Sequence, residues 1–183
     1  MYRKIRLFLS GTGQKGKDLA KDRDGVTAVE FALVALPFFT LAFGIIEIGL
    51  AHFANRLVDN AVVEASRLIR TGQAHNGNLT AAGFKTAVCE SMPSFMCDED
   101  RIFLEIRSID DFADASSLDD LYDDEGNLRE DTAYEIGDQT SIVVVNVIYK
   151  WPMATSILKF DSTDNGYERH LTSTMVFRNE PFN

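Results

Sequence analysis

The sequence is poor in the residue types on which most catalytic sites depend. It holds three histidines and two cysteines in 183 residues. The histidines, His52, His75 and His170, form no H-E-x-x-H zinc motif, and the chain has no G-x-S-x-G nucleophile elbow and no glycine-rich phosphate loop. Two cysteines without nearby histidines also make a weak metal site. We therefore expect no catalytic residues, no metal and no cofactor.

Positive charge is scarce beyond the first part of the chain. The formal net charge is −10, yet residues 1–25 hold seven Lys/Arg against three Asp, a net of +4, which leaves −14 for the remainder. An acidic body argues against nucleic acid as a partner. A basic head before an apolar run predicts that the N-terminus stays in the cytoplasm while the body crosses a membrane.

Charge is absent from residues 31–46, FALVALPFFTLAFGII. Between Val26 and Leu50 only Glu30 and Glu47 interrupt the apolar run. As a helix these residues would span roughly 37 Å, enough for a hydrocarbon core of about 30 Å, so membrane lipid is an expected partner. The run is too long for an ordinary secretory signal, and no Ala-x-Ala cleavage pattern follows it. We predict one transmembrane helix over residues 26–54.

The helix is predicted to continue beyond the membrane. Apolar or small residues recur at helical spacing over residues 55–72, and Gly72 is a plausible C-terminal cap. One helix of about 45 residues and roughly 67 Å would thus begin at Val26 and end near Arg70. Pro37 lies in its lipid half and is expected to kink it or to loosen one turn, because proline donates no backbone hydrogen bond.

Residues 73–183 are predicted to form an α+β domain. After a loop over residues 74–78, a short helix over 79–92 should start at Asn78 or Thr80. Three strands follow at 101–109, 140–151 and 168–178. The first alternates apolar and charged residues, apart from Phe103: Ile102, Leu104 and Ile106 against Arg101, Glu105 and Arg107. A small antiparallel sheet packed on the long helix is the expected arrangement.

An acidic loop, residues 110–138, separates the first two strands. The simplest interpretation is a solvated loop, and the alternative is a calcium site. An EF-hand is excluded, because aligning Gly126 with its glycine puts Leu121 and Thr132 where carboxylates are required. An irregular calcium site stays open.

Cys89 and Cys97 flank Pro93, eight positions apart. In an exported domain such a pair usually closes a disulfide, and the alternative is two buried thiols. We predict the disulfide.

The stretch RDGVTAVEF, followed by ALVALPFF and GIIEIG, resembles the processing site and anchor of TadE-like minor pilins, or pseudopilins, of the Tad (Flp) type IV pilus system. Gly25 matches the last leader residue, Val26 the new N-terminus, Glu30 the fifth mature residue and Phe31 the aromatic that often follows. The cysteine pair, VIYKWP and the closing LTSTMVFRNEPF are similar to the family's body.

The resemblance implies a type IV pilin-like fold and a structural role. Residues 1–25 would be a leader removed by a prepilin peptidase, and the domain would be periplasmic on an inner-membrane anchor. Implied partners are other minor pilins, the major Flp pilin and the inner-membrane assembly platform. Cleavage would create an amine on Val26, which the Glu30 carboxylate of a neighbouring subunit, or of the same chain, could pair. The main alternative is an uncleaved single-span protein with a periplasmic binding or sensing domain.

Overall fold

The computed structural model describes residues 24–116, 118, 120–153 and 168–182. The predicted leader, apart from its last two residues, lies outside them. The chain divides into two compact units, one ending at Phe43 and the other beginning at Gly44, and each is described by itself. Helix α1, Asp24–Arg70, contributes to both. Its bounds lie within two residues of those predicted.

The first unit, over its described residues 24–43, is a single stretch of α1 that exposes its apolar side chains. The most apolar window of the helix has a mean hydropathy of 2.2 and is only 6% buried, unlike the core helix of a soluble domain. Within the described part of the chain, this is the one helix long and apolar enough to cross a membrane.

The second unit begins with the remainder of α1, which buries one face. The buried positions recur every three or four residues and are mostly small: Ala51, Ala54, Val58, Ala61, Val62, Ala65 and Ile69. Arg56, Glu64 and Arg67 lie on the exposed side. The helix therefore continues to Arg70 with one buried face of mostly small residues and one exposed polar face.

A three-stranded antiparallel sheet forms the other layer. Its strands are β1, Ile102–Ile109, β2, Ile142–Pro152, and β3, Glu168–Arg178, in the order β1-β2-β3. Val145 pairs with Ile106 on one side and with Met175 on the other. These inward side chains form one hydrophobic core with the buried residues of α1 between Ala54 and Ile69. The predicted α+β arrangement is therefore confirmed.

The outer face of the sheet is also covered, so that Glu105, one of the alternating charged residues of β1, is buried. Glu105 is 3% exposed, and Arg107 donates two hydrogen bonds, of 3.0 and 2.9 Å, to its Oε1. The later part of the acidic loop pairs with the edge of β1: Ile106 N–H donates to Ala133 O and Glu135 N–H donates to Ile106 O. Its earlier residues Asp120 and Leu121 line one cavity with Asn146, the β2 partner of Glu105. The alternation of apolar and charged residues in β1 does not reveal that the outer face of the sheet is covered as well.

The predicted loop over residues 74–78 is in part a helical turn, α2, Gln73–Asn76. Gly72, at φ 77°, ends α1 as the sequence indicates, since its N–H donates to Ile69 O. After Gly72 the chain forms one further helical turn, in which Gly77 N–H donates to Gln73 O at 2.9 Å. The polar composition of this segment concealed the turn.

Helix α3, Ala81–Glu90, begins at the second of its two predicted caps. Thr80 accepts a hydrogen bond from Gly83 N–H at 3.2 Å, whereas Asn78 has φ 47° and lies outside the helix. A threonine cap contributes about 1 kcal/mol to helix stability. Phe84, Val88 and Cys89 form the buried face of α3.

The C-terminal segment fastens the end of α1 to the sheet. Asn179, 3% exposed, donates from its amide to Ile136 O and Asp138 O, each at 2.9 Å. Glu180 N–H donates to Arg70 O at 2.8 Å. The ring of Phe182 packs on Gly72, where any Cβ would collide with it. We call residues 179–182 the C-terminal clasp.

Replacing Phe84 by alanine is expected to cost about 3–5 kcal/mol of unfolding free energy, because this fully buried ring would leave a cavity. The measurement is denaturant unfolding of the full chain in detergent, followed by circular dichroism. Phe112→Ala removes the same ring from a site that is 53% exposed and serves as the control. Equal losses in the two variants would contradict the assigned core.

Candidate processing and assembly site

Gly25 and Val26, the residues on either side of the predicted cleavage point, lie in the first turn of α1. Val26 is 52% exposed, and a Cβ built on Gly25 would meet no atom within 4 Å. Helix ends fray, and glycine is a poor helix former. Unwinding this turn into an extended strand therefore costs little free energy.

Glu30 and Phe31 follow on the next turn, both exposed. Phe31 is 69% exposed. The Glu30 carboxylate makes no hydrogen bond or ion pair with any residue the structure describes. On helical geometry Glu30 lies about 6 Å along the axis from Val26. A carboxylate on an otherwise apolar, exposed helix surface is available to a group outside the chain.

Pro37 lies inside α1 and interrupts its hydrogen bonding, since it cannot donate to the carbonyl of Leu33. Three residues later, Thr40 donates its hydroxyl to Leu36 O at 2.8 Å. A threonine bonded back to its own helix keeps its polar atom satisfied within an apolar stretch. The predicted kink itself stays a prediction.

The second unit brings together the other predicted pair, Cys89 and Cys97, as a disulfide with their Cα atoms 4.7 Å apart. Cys89 is 1% exposed in the last turn of α3. The bridge closes the turn that leads from α3 towards β1. The predicted disulfide is confirmed.

A tyrosine anchors the same disulfide loop to the sheet. The hydroxyl of Tyr149, on β2, donates to Met96 O at 2.9 Å, and burial raises the pKa of this phenol. Met92 and Met96 point into the core, whereas Phe95 between them is 73% exposed. Sequence reasoning missed Phe95, although its place between two cysteines was a usable signal.

Residues 123–127 of the acidic loop form a turn closed by hydrogen bonds. Asp123 accepts hydrogen bonds from Asn127 N–H at 2.7 Å and from Glu125 N–H at 3.0 Å. The hydrogen bond from Asn127 N–H is the main cause that holds the pKa of the Asp123 carboxyl below its usual value. Gly126 occupies the positive-φ position, at 83°. Asp123 thus stabilises a local turn, a role that composition did not reveal.

No group of three or more His, Cys, Asp or Glu side chains within the described ranges is placed to hold a metal ion. The loop instead contributes to an open cavity of about 360 Å³ over the outer face of the sheet. Leu121 and Asp120 line it from the loop, and Val144, Asn146 and Thr174 line it from the strands. Thr174 donates to Asn146 Oδ1 at 2.8 Å across its floor. The cavity lies on a different segment from the processing residues.

The architecture defines a class: one N-terminal helix that could span a membrane, followed by an α+β domain with a disulfide and no catalytic constellation recognised in the sequence. Residues 25–67 match the family model described as TadE-like protein. The resemblance predicted from the sequence is therefore confirmed over those residues, which run from Gly25 through most of α1. TadE-like proteins are structural components associated with Tad pili and are not a known enzyme family.

Comparison with curated proteins and with solved structures gave no match. The domain beyond residue 67 is therefore interpreted from its own geometry.

Replacing both cysteines by alanine is expected to lower the unfolding free energy by about 2.5 kcal/mol, because the bridge closes an eight-residue separation in the unfolded chain. Thermal unfolding of the full chain in detergent measures the loss. A reductant should shift the wild-type chain in the same direction and leave the double variant unchanged. A wild-type melting temperature insensitive to full reduction would contradict a stabilising role for the bridge.

Proposed function

We propose that the chain is a minor pilin or pseudopilin of a Tad (Flp-type) pilus or a related secretion apparatus. It is made as a precursor, cut between Gly25 and Val26 by a prepilin peptidase, and held in the inner membrane by α1. The domain then lies in the periplasm and meets other minor pilins, the major Flp pilin and the inner-membrane assembly platform.

One observation carries this proposal: the TadE-like match begins at Gly25, where the helix of exposed apolar residues also begins. A match to an ordinary membrane anchor would require only a run of apolar residues. Here it includes a glycine, a small-residue turn and the Glu30 carboxylate. These residues have no evident structural task within the described chain, so a task in processing and assembly accounts for them.

Gly25 suits cleavage for a physical reason. A peptidase must hold the scissile backbone extended and close to its catalytic groups, and glycine adds no side chain to obstruct that approach. The absence of neighbours within 4 Å of Gly25 leaves the first turn free to unwind. Specificity would then depend on this turn and not on the distant domain.

The mature N-terminus tests the cleavage. Intact-mass analysis of protein from cells with the peptidase should show a chain beginning at Val26, and cells without it should hold the full-length precursor. Gly25→Leu should accumulate precursor, because the added side chain obstructs the extended backbone.

Gly49→Leu adds the same side chain at another helical glycine with no neighbour within 4 Å, and it should be processed normally. A full-length mature protein in wild-type cells would refute the pilin proposal. It would favour instead an uncleaved single-span protein whose outer-face cavity binds a ligand.

Glu30 suits assembly because cleavage supplies it with a partner. The new α-amine of Val26 is cationic at neutral pH, and an ionised carboxylate in an apolar layer is stable only when paired. A neighbouring subunit displaced along the helix axis can bring its amine to this carboxylate. The pair would set the axial position of one subunit against the next, while the apolar side chains supply contact area.

Glu30→Val should be inserted and cleaved but should fail to assemble, because the anchor becomes more apolar while the amine loses its partner. The measurements are membrane fractionation, intact mass and recovery of the chain with sheared pili. Thr40→Val makes the same helix more apolar without removing a charge and is the matched control. Normal piliation with Glu30→Val would exclude the pairing.

A further inference from the structure

Strand β3 forms one edge of the sheet, and its backbone groups face two sides. The strand order is β1-β2-β3, so β3 is paired with β2 on one side. Asn179 N–H, directly after β3, donates to Ser141 O at 2.9 Å in continuation of that pairing. Because alternate residues of a strand direct their backbone groups to the same side, the odd-numbered residues of β3 face β2 and the even-numbered ones face away.

The outward backbone groups of β3 form an open edge, which we define as those of Thr172, Thr174, Val176 and Arg178. Their N–H and C=O groups make no hydrogen bond with any residue that the structure describes. At the opposite edge, Ile106 of β1 faces away from β2 in the same manner, but the acidic loop pairs with it through Ala133 O and Glu135 N–H. The described chain thus covers one edge of its sheet and leaves the other open.

The open edge lacks the features by which proteins usually block pairing with a further strand. Prolines, bulges and inward-pointing charges have this effect. Strand β3 holds no proline, pairs with β2 without a bulge over its eleven residues, and has no charged residue between Leu171 and Phe177. A long and regular edge of this kind pairs readily with an extended segment of another chain.

The cavity on the outer face of the sheet lies beside the open edge. Exposure of this face rises across the sheet, because Glu105 of β1 and Val144 of β2 are each 3% exposed, whereas Val176 of β3 is 39% exposed. Thr174 and Val176 line the cavity from β3, and Leu121 lines it from the acidic loop. The loop therefore leaves the cavity accessible from the side of β3.

We propose that the open edge binds an extended segment of a different protein, which adds a fourth strand antiparallel to β3. Main-chain hydrogen bonds to the outward groups supply the affinity, and the cavity supplies the specificity by accepting one side chain of the added strand. This inference concerns the domain alone and depends neither on cleavage nor on a membrane anchor.

The side chains along the open edge define the chemistry of the partner. The Arg178 guanidinium makes no ion pair within the described ranges, and its contact is the ring of Phe112, 5.9 Å away. An acidic residue opposite Arg178 complements this charge. Opposite Val176, two positions later in the partner, an apolar side chain suits the cavity, whose lining is mostly apolar. The partner segment therefore reads acidic, any residue, apolar in the direction of its chain.

A second copy of this chain fits the open edge less well. If β3 paired with its own counterpart over the whole strand, Glu168 would lie opposite Arg178 and His170 opposite Val176. The charge would be complemented, but an imidazole would take the place of the apolar side chain at the cavity. The proposal therefore commits to a different protein.

A synthetic peptide tests the pairing. The fluorescent probe contains Glu-Val-Leu-Val-Thr between serine and lysine residues, and fluorescence anisotropy measures its binding to the full chain in detergent. N-methylation of its leucine removes an N–H that faces β3, whereas N-methylation of its first valine removes one that faces away. We expect the first change to weaken binding at least about tenfold, because a cross-strand hydrogen bond is lost, and the second to leave binding unchanged. No binding of the parent probe, or equal effects of the two methylations, would overturn the proposal.

Amide hydrogen exchange locates the probe on the chain. In the free chain the outward amides of Thr174 and Val176 should exchange faster than the inward amides of Ser173 and Met175, which face β2. Saturating probe should slow the outward amides at least about tenfold and leave the inward ones unchanged. Protection of another segment in place of β3 would refute the assigned edge.

A charge exchange tests the predicted partner chemistry. Arg178→Glu should weaken binding about tenfold, because an attractive cross-strand pair becomes a repulsive one, and a probe with lysine in place of glutamate should restore it. Arg169→Glu makes the same change in β3 beyond the reach of the probe and should leave binding unchanged. Equal losses in the two variants, or no restoration by the lysine probe, would contradict the proposal.

Sedimentation of the full chain in detergent, without probe, distinguishes the other occupant. A monomer whose outward amides exchange rapidly supports an edge reserved for a different protein. A dimer whose outward amides are already protected would assign the open edge to a second copy of the chain, and the proposal would fall.

Discussion

The second unit depends on one contact, that of the alanine-rich face of α1 with the inward side chains of the sheet. Ala54, Ala61 and Ala65 are each at most 2% exposed, and they belong to the same hydrophobic core as the β-branched Val143, Val145 and Val147 of β2. The three-stranded sheet buries its inward apolar side chains in the core that it shares with this helix face. The second half of α1 completes its core and is therefore a structural part of the domain.

The elements that the sequence predicted well are those in which one periodicity dominates. Helix α1 shows a 3.6-residue repeat over its whole second half, and β2 is a nearly unbroken run of β-branched residues; both were recovered within two residues at each end. The processing residues are predicted without tertiary information for a related reason. Gly25, Val26 and Glu30 stand together in one short segment of the sequence, and their role in processing and assembly stays a prediction.

The features that escaped prediction are created by tertiary contacts. Glu105 alternates correctly with its apolar neighbours, yet the acidic loop covers it, and no property of β1 records that covering. Asn179 looks like an ordinary polar residue after a strand, although its amide joins two carbonyls of a loop forty residues earlier. Phe95 differs in that its exposure is decided by Met96 taking the inward place. For Glu105 and Asn179 the environment depends on a segment distant in sequence, whereas that of Phe95 depends on its neighbour.

The C-terminal clasp has a consequence for folding. Arg70 and Glu180 are separated by 110 residues, and β3, the last strand, supplies one edge of the sheet as well as the inward side chains Leu171 and Ser173. Contacts between residues so far apart in sequence require a long loop to close, which raises the contact order and slows folding. The core of this domain is therefore complete only when the last strand has paired.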